Sequence, residues 1–122
     1  MPFTADALVR IVKAIKKEDL SEPQSPFQHN RAIRHIRRII REKGVPFIKL
    51  RVLVAVWLFK RLTHKDPTVV EVIAILNMHS QTEVNEAISF LSHGQTKGRK
   101  GILVKSDNGN RLSVNYSIAK RF

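Results

Sequence analysis

Cysteine is missing from this sequence, so disulfides and thiolate metal sites are excluded, and a reducing compartment fits the chain. Long apolar runs are missing too: the longest, Val52 to Phe59, is far too short to span a bilayer. The opening residues, MPFTADALVRIVKAIKKEDL, mix charges into their apolar positions and lack a small-residue cleavage site, so no signal peptide is expected. These absences lead us to expect a soluble, cytoplasmic protein, nucleoid-associated if bacterial. Acids are scarce, with 10 Asp plus Glu against 22 Lys plus Arg, which sets a formal charge of +12. Such an excess favours a polyanionic partner: DNA, RNA or an acidic membrane surface.

Several chemical signatures are also absent. The few acids read mostly as helix caps or surface charges, and His29, His35, His64, His79 and His93 form no H-x-x-x-H or similar ligand pair. The Gly-rich basic stretch QTKGRKG lacks the order of a phosphate loop. No enzyme, no cofactor and no metal are therefore expected. No internal repeat is visible. At 122 residues the chain fits one compact unit with one core.

The most informative stretch runs from Thr68 to Gly94 and reads as two short helices joined by a turn at Asn77-Met78-His79. Thr68 stands three residues before Glu71, and Ser80 three before Glu83, so each pair can form a capping box. In the second helix Val84, Ala87, Ile88 and Leu91 follow the i, i+3, i+4, i+7 spacing of a face packed on one side. The opposite face presents Thr82, Asn85, Glu86, Ser89 and His93, short polar groups suited to reading a groove or, more plainly, to facing solvent. Gly94 supplies a left-handed stop.

Upstream, a first amphipathic helix is expected from Thr4 to about Asp19, then a proline-rich linker from Ser21 to Phe27. From Gln28 to Lys43 a second amphipathic helix gathers Ala32, Ile33, Ile36, Ile39 and Ile40 into a stripe. Arg31, Arg34, Arg37, Arg38 and Arg41 fall together on one flank, where guanidinium groups can each offer a two-pronged donor to phosphate. The apolar face of that helix has no aromatic anchor, so a membrane is not expected as its partner. Gly44 ends the helix, and a core helix follows from about Ile48 to His64, apolar nearly all round between Leu50 and Phe59. Trp57 and Phe59 read as packing residues.

After the basic loop with Lys97, Arg99 and Lys100, Ile102 to Lys105 and Leu112 to Ile118 read as two strands. The Asn108-Gly109 pair between them favours a tight type I′ hairpin. The fold class is thus mainly α with a small β-hairpin. Residues 1–46 form a helical extension carrying the basic surface, and residues 47–122 the main domain.

This order of elements, with S-Q-T-E-V-N-E-A-I-S-F-L ahead of the hairpin, resembles the winged helix-turn-helix family over about Ile48 to Ile118. It is most similar to compact bacterial, plasmid or phage regulators and to multiple-antibiotic-resistance-type repressors. The resemblance implies sequence-specific binding of double-stranded DNA by a transcription regulator whose helix at about 80–93 enters the major groove. Gln81, Thr82, Asn85 and Ser89 would then contact bases. Lys97, Arg99, Lys100, Lys105, Asn108 and Arg111 would hold phosphates from the loop and wing.

Two features depart from the family pattern. Glu86 lies near the centre of the implied reading face, and that helix carries no Lys or Arg. No long helix follows the wing, so a homodimer would have to form through the apolar stripes of the N-terminal helices. Two alternatives remain open: binding of nucleic acid without sequence choice, as an RNA-binding, architectural or DNA-segregation protein, or a winged helix that binds another protein.

Overall fold

Isoleucines spaced for one helical face start the core. A computed structural model describes residues 28–93 and 101–115 of the chain, the side chains of 28–30 excepted. Outside them lie the expected first helix, the proline linker, the Gly94 stop, the basic loop with Lys97, Arg99 and Lys100, and the second strand beyond Asn115. Helix α1 spans Gln28–Glu42 and buries Ala32, Ile36, Ile39 and Ile40, with Ile33 half-buried. It ends in a Schellman motif: Val45 N–H donates to Ile40 O at 3.2 Å and Gly44 N–H to Arg41 O at 3.3 Å. Gly44 takes φ +63, the left-handed conformation that closes such a motif.

Helix α2, Ile48–Thr63, runs through the middle of the protein, with Leu50, Val52, Leu53, Val54, Ala55, Val56, Leu58 and Phe59 all buried. Its apolar circumference is used on several sides, against α1, against the two later helices and against the hairpin. Trp57 is only half-buried, and the Arg61 guanidinium lies 5.5 Å from its ring centre. The helix stops at His64, which adopts φ 60.

Helix α3, Val69–Ile75, and helix α4, Gln81–Ser92, form the helical hairpin expected from the sequence. Thr68 makes the full capping box with Glu71: its hydroxyl accepts from the Glu71 amide at 3.2 Å, while the Glu71 carboxylate accepts from the Thr68 amide at 2.9 Å. Val84, Ala87, Ile88 and Leu91 of α4 are buried, as their spacing requires.

Strands β1, Leu103–Ser106, and β2, Arg111–Val114, pair antiparallel with Ser106 opposite Arg111 and Leu103 opposite Val114. Leu103 and Leu112 point into the core. The segment before α3 adds a single bridge, Thr68 to Arg111, with Val69 N–H donating to Asn110 O at 3.0 Å and Leu112 N–H to Pro67 O at 2.9 Å. The hairpin is thereby tied to the start of α3.

The structure bears out a mainly helical protein with a small antiparallel sheet, and it adds detail at three places. The hairpin loop runs from Asp107 to Asn110, with Asp107 (φ 53), Asn108 (φ 58) and Gly109 (φ 82) all left-handed, one residue more on each side than a bare Asn108-Gly109 turn. Gly109 N–H donates to Ser106 O and Asn110 N–H to Asp107 O, both at 3.1 Å, so two turns overlap and the second is centred on the expected Asn108-Gly109 pair. Ile36, Ile39, Ile40 and Val45 belong to the same apolar cluster as Leu53, Val72 and Ile88, in keeping with the one core expected of the chain. The α1 stripe is covered by the chain's own α2 and α3.

Candidate functional site

The outer face of α4 is the most exposed polar surface of the helical hairpin. Gln81, Thr82, Asn85, Glu86, Ser89 and His93 are all exposed, and none carries a positive side chain except a protonated histidine. Buried Val84, Ala87, Ile88 and Leu91 on the opposite side fix this orientation, since rotating the helix would expose them. The N-terminus of α4 projects Gln81 and Thr82 just past the Ser80 cap, whose hydroxyl accepts from the Glu83 amide at 3.2 Å. Thr82, Asn85 and Ser89 therefore lie on one accessible helix face with Glu86 among them, and Gln81 is exposed beside it at the helix start.

Two arginines from neighbouring helices brace the turn that launches α4. Arg37 of α1 donates from Nη2 to Ala74 O at 2.6 Å and from Nε to Ile75 O at 3.4 Å. These carbonyls belong to the last turn of α3, where the helix's own amides run out and where a cation also suits the helix dipole. Arg51 of α2 donates from Nε to Val45 O at 2.8 Å and from Nη1 to His79 Nε2 at 2.9 Å. An arginine only donates, so His79 accepts at Nε2 and carries its proton on Nδ1, which faces Glu83 Oε2 at 3.6 Å. The Ser80 hydroxyl, 3.1 Å from the Glu83 carboxylate, is the main cause that holds Glu83 below the ordinary carboxylate range, and His79 adds to it.

The arginine flank of α1 is thus divided by the fold. Arg37 is turned inward and serves as a brace, whereas Arg31, Arg34, Arg38 and Arg41 are exposed. Arg38 donates to His35 Nδ1 at 2.7 Å and still presents the rest of its guanidinium to solvent. On the hairpin, Lys105 and Asn108 are exposed near the loop. Arg111 is not a free cation: Nη1 donates to Asp66 O at 2.7 Å and Nε lies 3.8 Å from Asp107 Oδ2. It fastens the hairpin to the junction between α2 and α3.

Lys49 and Phe90 are the residues that sequence reading passed over. The Lys49 ammonium sits 3.7 Å from the centre of the Phe90 ring, and Phe90 is 60% exposed on the edge of the α4 outer face. This brings a cation from α2 beside a helix that has none of its own. An aromatic breaking the polar pattern of α4 is the one signal in the sequence that pointed to this contact.

Among the described residues no group of three or more His, Asp or Glu could hold a metal ion, and no helix is long and apolar enough to cross a membrane. Comparison of the chain with protein families, with curated proteins and with solved structures found no match.

Proposed function

We propose that the protein binds double-stranded DNA as a small winged helix-turn-helix regulator, with α4 in the major groove and the β1–β2 hairpin as the wing. The observation that carries this reading is the outer face of α4, where Gln81, Thr82, Asn85 and Ser89 stand exposed on a helix braced from behind. Amide side chains at such positions can pair bidentately with adenine, and hydroxyls with either kind of base edge. In this reading exposed Lys105 and Asn108 at the hairpin, and Lys49 beside Phe90, would supply the phosphate contacts. The short pairing of Thr68 with Arg111 supports the wing assignment, since it fixes the hairpin against the same two helices. A two-fold dimer on such DNA would use a surface other than the α1 stripe, which the chain itself covers.

A second reading has its own observation. Residues 69–93 contain Glu71, Glu83 and Glu86 but no Lys or Arg, which disfavours close approach of α3 and α4 to a phosphate backbone without help from elsewhere. It favours binding of nucleic acid without sequence choice, through cations outside the hairpin of helices. Incubating the protein with a random duplex library at physiological salt and sequencing the retained fraction separates the two. Enrichment of a defined site supports the regulator; retention without enrichment supports the second reading on DNA; no retention overturns duplex binding of either kind and points to RNA or a protein partner.

A further inference from the structure

Phe90 interrupts the polar surface of α4, standing one turn after Glu86 and about 40° round the helix from it. At 60% exposure the ring gains little from burial, and its partner is Lys49 of α2, whose ammonium lies 3.7 Å from the ring centre. We infer that Phe90 is a positioning residue whose ring holds the Lys49 ammonium at the rim of the α4 outer face, where the lysine makes a phosphate contact that α3 and α4 cannot make themselves. The inference rests on the duplex DNA reading above.

Local helix chemistry does not account for the lysine. Lys49 is the second residue of α2, in a first turn that contains no acid and has no side-chain cap, and the helix dipole opposes a cation at that end. A surface cation–π contact is of similar size and opposite sign, so the pair contributes little net stability. What it contributes is a fixed position. A lysine stem is flexible and gives up rotamer freedom when its ammonium settles on a phosphate, whereas a half-buried stem already laid over a ring has given up part of that freedom beforehand. The ammonium carries three donors and the ring face occupies only one side of it, which leaves N–H groups for a phosphate oxygen. Among the described residues no carboxylate pairs with it. The fixed cation thus borders a stretch, residues 69–93, that contains Glu71, Glu83 and Glu86 but no Lys or Arg. Removing the ring would keep the charge and lose its placement.

The test uses the full chain with Lys49→Gln, Phe90→Leu, Phe90→Tyr and the double variant of Lys49→Gln with Phe90→Leu, beside an equal loss of charge in Lys65→Gln at an exposed position. Binding to a preferred duplex and to a scrambled one is measured over a series of salt concentrations, with circular dichroism melting to confirm that each variant folds. In Lys49→Gln both affinities should fall by the same factor, with the preference between duplexes kept, and the slope of log affinity against log salt should become shallower by about 0.9. Phe90→Leu should lose part of the same affinity, Phe90→Tyr should bind as the wild type does, and the double variant should bind no more weakly than Lys49→Gln alone. A folded Lys49→Gln variant with the wild-type slope overturns the inference and leaves the α4 reading intact. An equal change of slope in Lys65→Gln also overturns it, since net charge and not the place of Lys49 would then be responsible. Losses that simply add in the double variant overturn Phe90 as the positioning residue. Wild-type binding without any preference overturns α4 as a reader, while the slope in Lys49→Gln still decides the lysine; wild-type protein that holds no duplex overturns both.

Discussion

Nη1 of Arg51 donates to Nε2 of His79 at 2.9 Å, joining the core helix to the turn between α3 and α4 across 28 residues of sequence. The same guanidinium holds Val45 O, so one side chain connects the end of α1, the core helix and the start of α4. Replacing it with methionine keeps much of the volume and removes both bonds. We expect Arg51→Met to lose about 1.5–3 kcal/mol of stability, the range for hydrogen bonds to a charged group, read as a lower urea midpoint with an unchanged slope.

The two helix starts provide a matched pair. Thr68→Ala removes a full capping box and also loosens the segment bridged to Arg111, whereas Ser80→Ala removes a cap at an exposed helix start. Each should cost about 1 kcal/mol, with Thr68→Ala the larger, as measured by chemical denaturation. Equal effects would mean that the bridge to the hairpin adds nothing.

Glu83 makes stability depend on acid. Its carboxyl is held below the ordinary carboxylate value of 4.5, chiefly by the Ser80 hydroxyl, so the folded state favours the ionised form more than the unfolded chain does. The resulting stabilisation is complete above about pH 4.5 and is lost as pH falls through the lower folded value. Melting temperatures of the wild type and Glu83→Gln recorded from neutral to acid pH should therefore converge below that value. A constant gap between the two curves would show that the carboxylate charge is not involved.

Gly101 permits a close backbone approach. A Cβ built there would lie 2.3 Å from Leu91 O and 2.5 Å from Ser92 C, atoms of the α4 backbone that cannot rotate away. Gly101→Ala should destabilise the protein by about 1–3 kcal/mol or more, because the strand must shift from the helix. Thermal melting of the variant beside Gly109→Ala, whose added Cβ meets nothing closer than 4.0 Å but whose φ is +82, separates steric crowding from backbone strain.

Much of the helical framework was legible because it rests on local signals. The Thr68–Glu71 and Ser80–Glu83 pairs, Gly44, and the spacing of Val84, Ala87, Ile88 and Leu91 each act within one or two helical turns, and all appear where expected. The hairpin loop was less legible. Asn108-Gly109 is a strong turn signal and that turn forms, but a second turn from Ser106 to Gly109 overlaps it, with Leu103 and Leu112 in the core and Arg111 tied to Asp66 O on the strands beyond.

The candidate site was legible in its polar face and illegible in its cations. Periodicity alone identified the outward residues of α4, yet Arg37 and Arg41, both on the basic flank of α1, differ in fate: one is spent on the carbonyls of α3, the other stays exposed. Arg111, expected at a phosphate, also donates to a backbone carbonyl, that of Asp66. Nothing within a few residues of either arginine distinguishes it, because the acceptors lie 37 and 45 positions away.

The sequence by itself determined the helix boundaries, the buried faces and the excess of positive charge, since propensity, capping and amphipathic spacing are properties of neighbouring residues. Only the tertiary structure decided which cations remain exposed, which surface of α1 is covered, and that Lys49 stands beside Phe90. The physical reason is that a guanidinium or ammonium group takes whichever acceptor the packing of distant helices brings within about 3 Å.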